Sequence, residues 1–174
     1  GHTLGPRTVL KDGQEVTVQQ ALGEHYQPIE EGKADITSLY NTLYLRDQGV
    51  DPETLEAHYA GFLSEALRSI RFGPASAYGL IRSAAWNYLV EKHALVYDAA
   101  AGKFHVDMTK MPQAVEDLMV TLLTIEGEGD AAAAKAFLDK YSYVAPELQA
   151  LLDRANATVP VEFVPMYAVE KTRP

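Results

Sequence analysis

The stretch from Pro28 to about Asp47 constrains this chain most: Ile29, Ile36, Leu39, Tyr40, Leu43 and Tyr44 recur along it at helical spacing. That pattern draws one apolar stripe down a long helix and turns it toward a core. Pro28 takes a first-turn position, where a missing N–H is tolerated, and Gln48-Gly49-Val50 supplies the stop, the glycine taking the left-handed turn. Glu31 and Asp35 lie four residues apart on one flank of the stripe, so their carboxylates stack on the same face. Acids in the first turns of a helix complement its dipole and commonly face water. The sharper reading makes them a cation site, with Glu31 a ligand and Asp35 an acceptor that orients a ligating histidine.

The rest of the chain is punctuated in the same manner. Between Arg7 and Gln14, Lys11-Asp12-Gly13 is a turn signal that gives a loop or a small hairpin. Thr17 reads as the N-cap of a short helix through about Glu24, with Gln20 completing a capping box. Asp51-Pro52 caps a third helix to about Phe72, carrying Leu55, Tyr59, Phe62, Leu63, Leu67 and Ile70. Gly73-Pro74 separates it from a fourth, roughly Ser76 to His93. Leu95-Val96-Tyr97 and Lys103-Phe104-His105-Val106 form a β-hairpin around Asp98 to Gly102. Met111-Pro112 opens a helix to about Ile125, Asp130 caps the next, and Pro146 to about Ala155 gives the last. Val159 to Val169, broken by Pro160 and Pro165, reads as an extended tail against the body. The fold class is mainly α: a single compact helical domain over residues 1–174, with six or seven helices, one small β-hairpin and an extended C-terminal tail.

Composition narrows the function. A 174-residue chain that is 47% hydrophobic, without an apolar run near 18 residues, buries a sizeable core and spans no membrane. Fifteen basic against 24 acidic residues give a net charge of -9, which repels phosphate backbones and anionic lipids. Nucleic acid and membrane surfaces are therefore excluded as expected partners. The absence of cysteine removes disulfides, thiolate metal sites and thiol nucleophiles. No G-x-S-x-G or P-loop motif is present, so serine-hydrolase and nucleotide-phosphate readings have no footing.

His25, His58, His93 and His105 show no i,i+4 pairing and read as surface or hydrogen-bonded structural histidines, although His25 lies near Glu30 and Glu31 in sequence. Arg68, Arg71 and Arg82 flank the junction after the third helix. They can form an anion pocket for a substrate carboxylate, or pair with structural acids, of which the chain has many. His2 follows Gly1 at the start, a pair that also fits the remnant of an affinity tag.

The stretches His2-Thr3-Leu4-Gly5-Pro6, Val16 to Leu22, and Ile29-Glu30-Glu31-Gly32-Lys33-Ala34-Asp35 resemble the dipeptidyl peptidase III family of zinc peptidases. The similarity is greatest to its shorter bacterial relatives and to the related domain found after Nudix domains. Arg68 to Gly73, Trp86 to Leu89, Lys110-Met111-Pro112 and Leu138 to Tyr141 extend the resemblance over most of the chain. In that family a histidine motif precedes a segment with a paired acid, a basic residue, an alanine and a further acid, here Glu30 to Asp35.

The resemblance implies a zinc cofactor in the intact protein, with His2 as the second histidine of an H-E-x-x-H-type motif and Glu31 as the glutamate ligand. Glu30 and Asp35 then stand behind the ligands, Asp35 holding a histidine ring. The family pattern places a histidine near Ala77-Tyr78-Gly79, and Tyr78 takes its place as a candidate hydrogen-bond donor in catalysis. Arg71 and Arg82 are candidate substrate-binding residues, and the implied substrate is a short peptide shortened from its amino end by two residues. The first histidine and the general-base glutamate fall before Gly1 by this reading, so the chain looks like a carboxyl-terminal part of the enzyme. Alone it is expected to be inactive and to hold zinc weakly or not at all. The expected location is cytoplasmic. The competing reading is a non-catalytic helical binding or scaffolding module, whose Glu31 and Asp35 face solvent on a convex surface.

Overall fold

The computed structural model describes residues 1–73 and 75–160, so most of the Val159 to Val169 tail read from the sequence lies outside the described residues. The chain opens with a hairpin of β1 (Thr8–Lys11) and β2 (Gln14–Thr17), in antiparallel register with Val9 opposite Val16. Asp12 and Gly13 between them both take positive φ, 52° and 78°, which suits the right-handed twist of a two-residue turn. Of the two outcomes left open for this segment, the hairpin is the one formed.

Thr17 ends β2 and caps α1 (Val18–Leu22), with the reciprocal Thr17–Gln20 capping box in place. The helix stops at Leu22 rather than near Glu24, because a 3-10 turn over Gly23–His25 tightens directly into α2 (Tyr26–Asp47). Helix α2 starts two residues before Pro28, which therefore falls in the first turn, where its N–H would have no partner.

Helix α3 (Leu55–Ile70) is capped by Thr54, whose hydroxyl accepts from Ala57 N, and not by Asp51. Asp51 instead accepts from Glu53 N in a turn of its own and faces the His58 ring at 2.9 Å. Helix α4 (Ala77–Glu91) starts from Ser76 as expected and ends two residues before His93, which takes φ 55° just past the helix. The second hairpin, β3 (Leu95–Asp98) with β4 (Lys103–Val106), packs on α4 through an edge-to-face contact between Phe104 and Trp86 at 5.1 Å. Helix α5 (Met111–Glu128) runs past Ile125 to Gly129, whose φ of 62° supplies the left-handed stop. Asp130 caps α6 (Ala131–Tyr141), and α7 (Pro146–Thr158) follows.

Helix α2 packs against α5, α4 and α3, and α4 packs in turn on α3 and α6, so α2 and α4 form the middle of the fold. Ile29, Ile36 and Leu39 of α2 are buried against Ile81 and Leu89 of α4 and Leu118 and Leu122 of α5. The α2–α4 approach depends on Gly32: a Cβ there would lie 2.3 Å from Ile81 Cγ1. The apolar stripe read along α2 holds through Leu39, but its distal end does not, since Tyr44 is 64% exposed. Gly32, Lys33, Ala34 and Thr37 are buried instead: α4 and α5 close over Gly32, and the N-terminal segment lies on Ala34. Asn87 of α4 donates to the carbonyls of Tyr141 and Tyr143 at 2.7 Å each and so fastens the end of α6 to the core. No described helix is long and apolar enough to cross a membrane.

Candidate metal centre

The first half of α2 presents two sets of polar side chains, because residues three and four apart share a face. Glu30 and Lys33 point toward α5 and the N-terminal segment, whereas Glu31 and Asp35 point toward α4. All four carboxylate or ammonium groups are at least half-buried, which sets them apart from acids on a convex wet surface. A close backbone approach brings His2 over them. A Cβ on Gly1 would lie 2.3 Å from Ala34 Cα, so a glycine lets the segment lie directly on α2 at that point.

The His2 ring then meets both neighbouring acids. Its Nδ1 is 3.1 Å from Glu30 Oε1, and its Nε2 is 3.7 Å from Glu31 Oε2. Two ligands bound at about 2.0–2.2 Å to a tetrahedral zinc stand roughly 3.3–3.6 Å apart, so the Nε2 to Glu31 separation fits one ion between them. A ligating histidine usually donates its other ring N–H to a carboxylate, and Glu30 is placed to receive it. The residues present therefore fit zinc as two donors of a larger set. Among the described residues no three histidine, cysteine, aspartate or glutamate side chains converge on one point.

The remaining sequence candidates have the following surroundings. Tyr78, at the start of α4, is 44% exposed, and its phenol lies against the Glu31 carboxylate; that contact, more than any burial, raises its pKa. Asp35 Oδ2 accepts from Arg82 Nε at 2.9 Å. Arg82 Nη1 also donates to the Glu65 carbonyl and to the Ser69 hydroxyl, so its guanidinium bridges α2, α3 and α4. Arg71 donates to the Val159 and Pro160 carbonyls. Arg82 is thus paired with a structural acid, the alternative weighed for it in the sequence, whereas the partners of Arg71 are backbone carbonyls. A cavity of about 330 Å³ lies beside Tyr78 and Arg82, bounded also by Glu65, Arg68, Ser69 and Phe72.

Sequence reasoning missed Glu126. It sits on α5, is only 2% exposed, and its Oε2 is 2.8 Å from Lys33 Nζ. Lys33 is equally buried and also pairs with Glu30 Oε2 at 2.6 Å. Burial and a hydrogen bond shared with Glu30 push the Glu126 carboxyl up to about 7. Burial would also raise Glu30, but hydrogen bonds from Glu126, Lys33 and His2 outweigh it and hold Glu30 below its usual range. Lys33 would be lowered by burial, yet its two acids hold it above the usual lysine value. One signal for Glu126 was present: it follows Leu118 and Leu122 at helical steps, an acid on an apolar stripe.

The fold is one shared with solved peptidases of the dipeptidyl peptidase III type. Dipeptidyl peptidase III from Caldithrix abyssi superposes on 98% of the chain with a TM-score of 0.91 and 36% identity. Dipeptidyl peptidase III from a Corallococcus species, strain EGB, does so over 98% with a TM-score of 0.88 and 36% identity. Nudix hydrolase 3 from Arabidopsis thaliana is 38% identical over 169 residues, 95% of this chain. The resemblance to the dipeptidyl peptidase III family read from the motifs therefore holds across nearly the whole chain, and the plant protein agrees with the likeness to a domain found alongside Nudix domains. The chain spans 32% of each of those two structures and 22% of the plant protein. No family model matches it.

Proposed function

We propose that this chain supplies part of the zinc site of a peptidase of the dipeptidyl peptidase III type, with His2 and Glu31 as ligands. The observation that carries the proposal is the two-sided His2 ring, with Nε2 facing Glu31 at 3.7 Å and Nδ1 facing Glu30 at 3.1 Å. Zinc held there supplies a Lewis acid that polarises a scissile carbonyl and lowers the pKa of a bound water. Glu30 accepts the Nδ1–H, fixing the tautomer that leaves Nε2 free to ligate. Asp35, anchored through Oδ2 by Arg82, keeps Oδ1 for the ring of the motif's other ligating histidine. Tyr78 donates a hydrogen bond to the oxyanion formed as the peptide bond is attacked. In this reading the first histidine of the motif and the general-base glutamate come from polypeptide outside residues 1–174.

The substrate proposed is a short peptide losing two residues from its amino end, a reading taken from the names of the matched structures. The cavity beside Tyr78 has room for one substrate side chain, and Arg82 on its lining is proposed to face a peptide carboxylate, whereas Arg71 lies outside that lining. The test is a full-length protein containing this chain, given an unblocked pentapeptide. Release of the amino-terminal dipeptide, abolished by Glu31→Ala, is the expected result; undiminished release from the variant overturns the assignment. The 174-residue chain alone is proposed to be inactive and to hold zinc weakly, and stoichiometric, chelator-resistant zinc in it would contradict that.

A further inference from the structure

We propose that Glu126, at the far end of α5, is the positioning residue for the His2 segment: through Lys33 it fixes both the Leu4 carbonyl and the Glu30 carboxylate, and Glu30 holds the His2 ring. Its consequence for metal binding rests on the zinc reading above; its geometry does not.

The Lys33 ammonium has three protons and three oxygen partners: Leu4 O at 2.8 Å, Glu30 Oε2 at 2.6 Å and Glu126 Oε2 at 2.8 Å. The group is buried, so no proton is left for water. Segment 1–7 is held loosely otherwise. Arg7 O accepts from Val18 N at one end, Gly1 lies on Ala34 at the other, and the residues between are exposed. Among the described residues, Lys33 to Leu4 O and His2 to Glu30 are the hydrogen bonds that tie that exposed middle to the helices. Both depend on where the Lys33 ammonium sits. Glu126 alone among its partners projects from a different helix of the core, and so fixes the ammonium relative to α5. Without Glu126, the ammonium loses an acceptor at a site closed to water and must swing outward, releasing Leu4 O and drawing Glu30 away from His2.

The experiment compares wild type with Glu126→Leu, Glu126→Gln and the double change Lys33→Met with Glu126→Leu. The double change replaces a buried ion pair by apolar groups of similar volume and keeps the fold where the single one strains it. In the 174-residue chain, the His2 ring resonances are read by NMR, with the Trp86 indole as the control for the core. Wild-type His2 is expected away from the free-histidine position. Glu126→Leu and the double change should bring it to that position with Trp86 unmoved, while Glu126→Gln, which still accepts from Lys33, keeps it close to wild type. A His2 resonance that stays at its wild-type position in the double change overturns the proposal. In the full-length protein, zinc binding by Glu126→Leu should be about tenfold weaker than by wild type, the low end for groups behind a ligand. Zinc bound equally well by both overturns the consequence. If wild type binds no zinc, the zinc reading fails by itself and the His2 resonances still decide the role of Glu126.

Discussion

Arg82 Nε donates to Asp35 Oδ2 across 2.9 Å, tying α4 to α2 one helical turn beyond the Glu31 carboxylate. The same guanidinium reaches the Glu65 carbonyl and the Ser69 hydroxyl, so it is the joint of three helices. Arg82→Met should lower stability by about 2 kcal/mol, the range for hydrogen bonds to a charged group. Urea unfolding checks this: the midpoint falls while the slope is unchanged. An unaltered midpoint would mean that the pair contributes no more than an exposed one.

Gly32 is where α2 and α4 meet. A Cβ at that position would lie 2.3 Å from Ile81 Cγ1 and 2.8 Å from its Cδ1. Alanine is the better helix former by about 1 kcal/mol, but overpacking a filled core costs about 1–3 kcal/mol. Gly32→Ala should therefore be destabilising in thermal unfolding, and pairing it with Ile81→Val should recover part of the loss. A rise in Tm for the single change would show that the helices have room to part.

The Glu126 carboxyl makes stability fall with rising pH. Its folded pKa of about 7 lies above the ordinary carboxylate value, so between about pH 4.5 and 7 the folded chain holds a proton that the unfolded chain has released. Stability declines as pH rises through that window, whereas the lowered Glu30 adds stability only below it, as pH rises toward about 4.5. The decline is on the order of 3 kcal/mol. Facing Glu126 are Glu30, Lys33 and the Tyr26 phenol, all on or at the start of α2. Glu126→Gln should flatten the dependence between pH 5 and 8, as measured by chemical denaturation at each pH. An equally steep dependence in that variant would place its origin elsewhere.

The role proposed for Tyr78 is tested by separating binding from turnover. Its phenol lies against Glu31, and in the full-length protein Tyr78→Phe should lower kcat by about 10–100-fold, with KM and zinc content little changed. A rise in KM at constant kcat would make Tyr78 a substrate contact instead.

The helical body was legible in the sequence because its signals are local. Thr17 with Gln20, Ser76, Asp130 and Gly129 act within one turn, and each caps or stops a helix as its chemistry requires. The start of α3 was misread because Asp51 and Thr54 offer rival caps three residues apart, and Asp51 is drawn off by Glu53 N and His58. The outer end of the α2 stripe was misread because Tyr44 repeats the period after the covering helices have ended. The acid motif and His2 were legible through a family pattern. Glu126 was not, because its partner Lys33 is far away in sequence and only the packing of α5 on α2 joins them. The pairing of Asp35 with Arg82 was hidden for the same reason.

Zinc content is the most direct test that His2 and Glu31 grip one metal ion. Elemental analysis of the full-length protein should find one zinc per chain in wild type, and a large loss after dialysis against a mild chelator in both His2→Ala and Glu31→Ala. Zinc retained at one equivalent by both variants, or missing from a folded wild type loaded with the metal, would contradict the account.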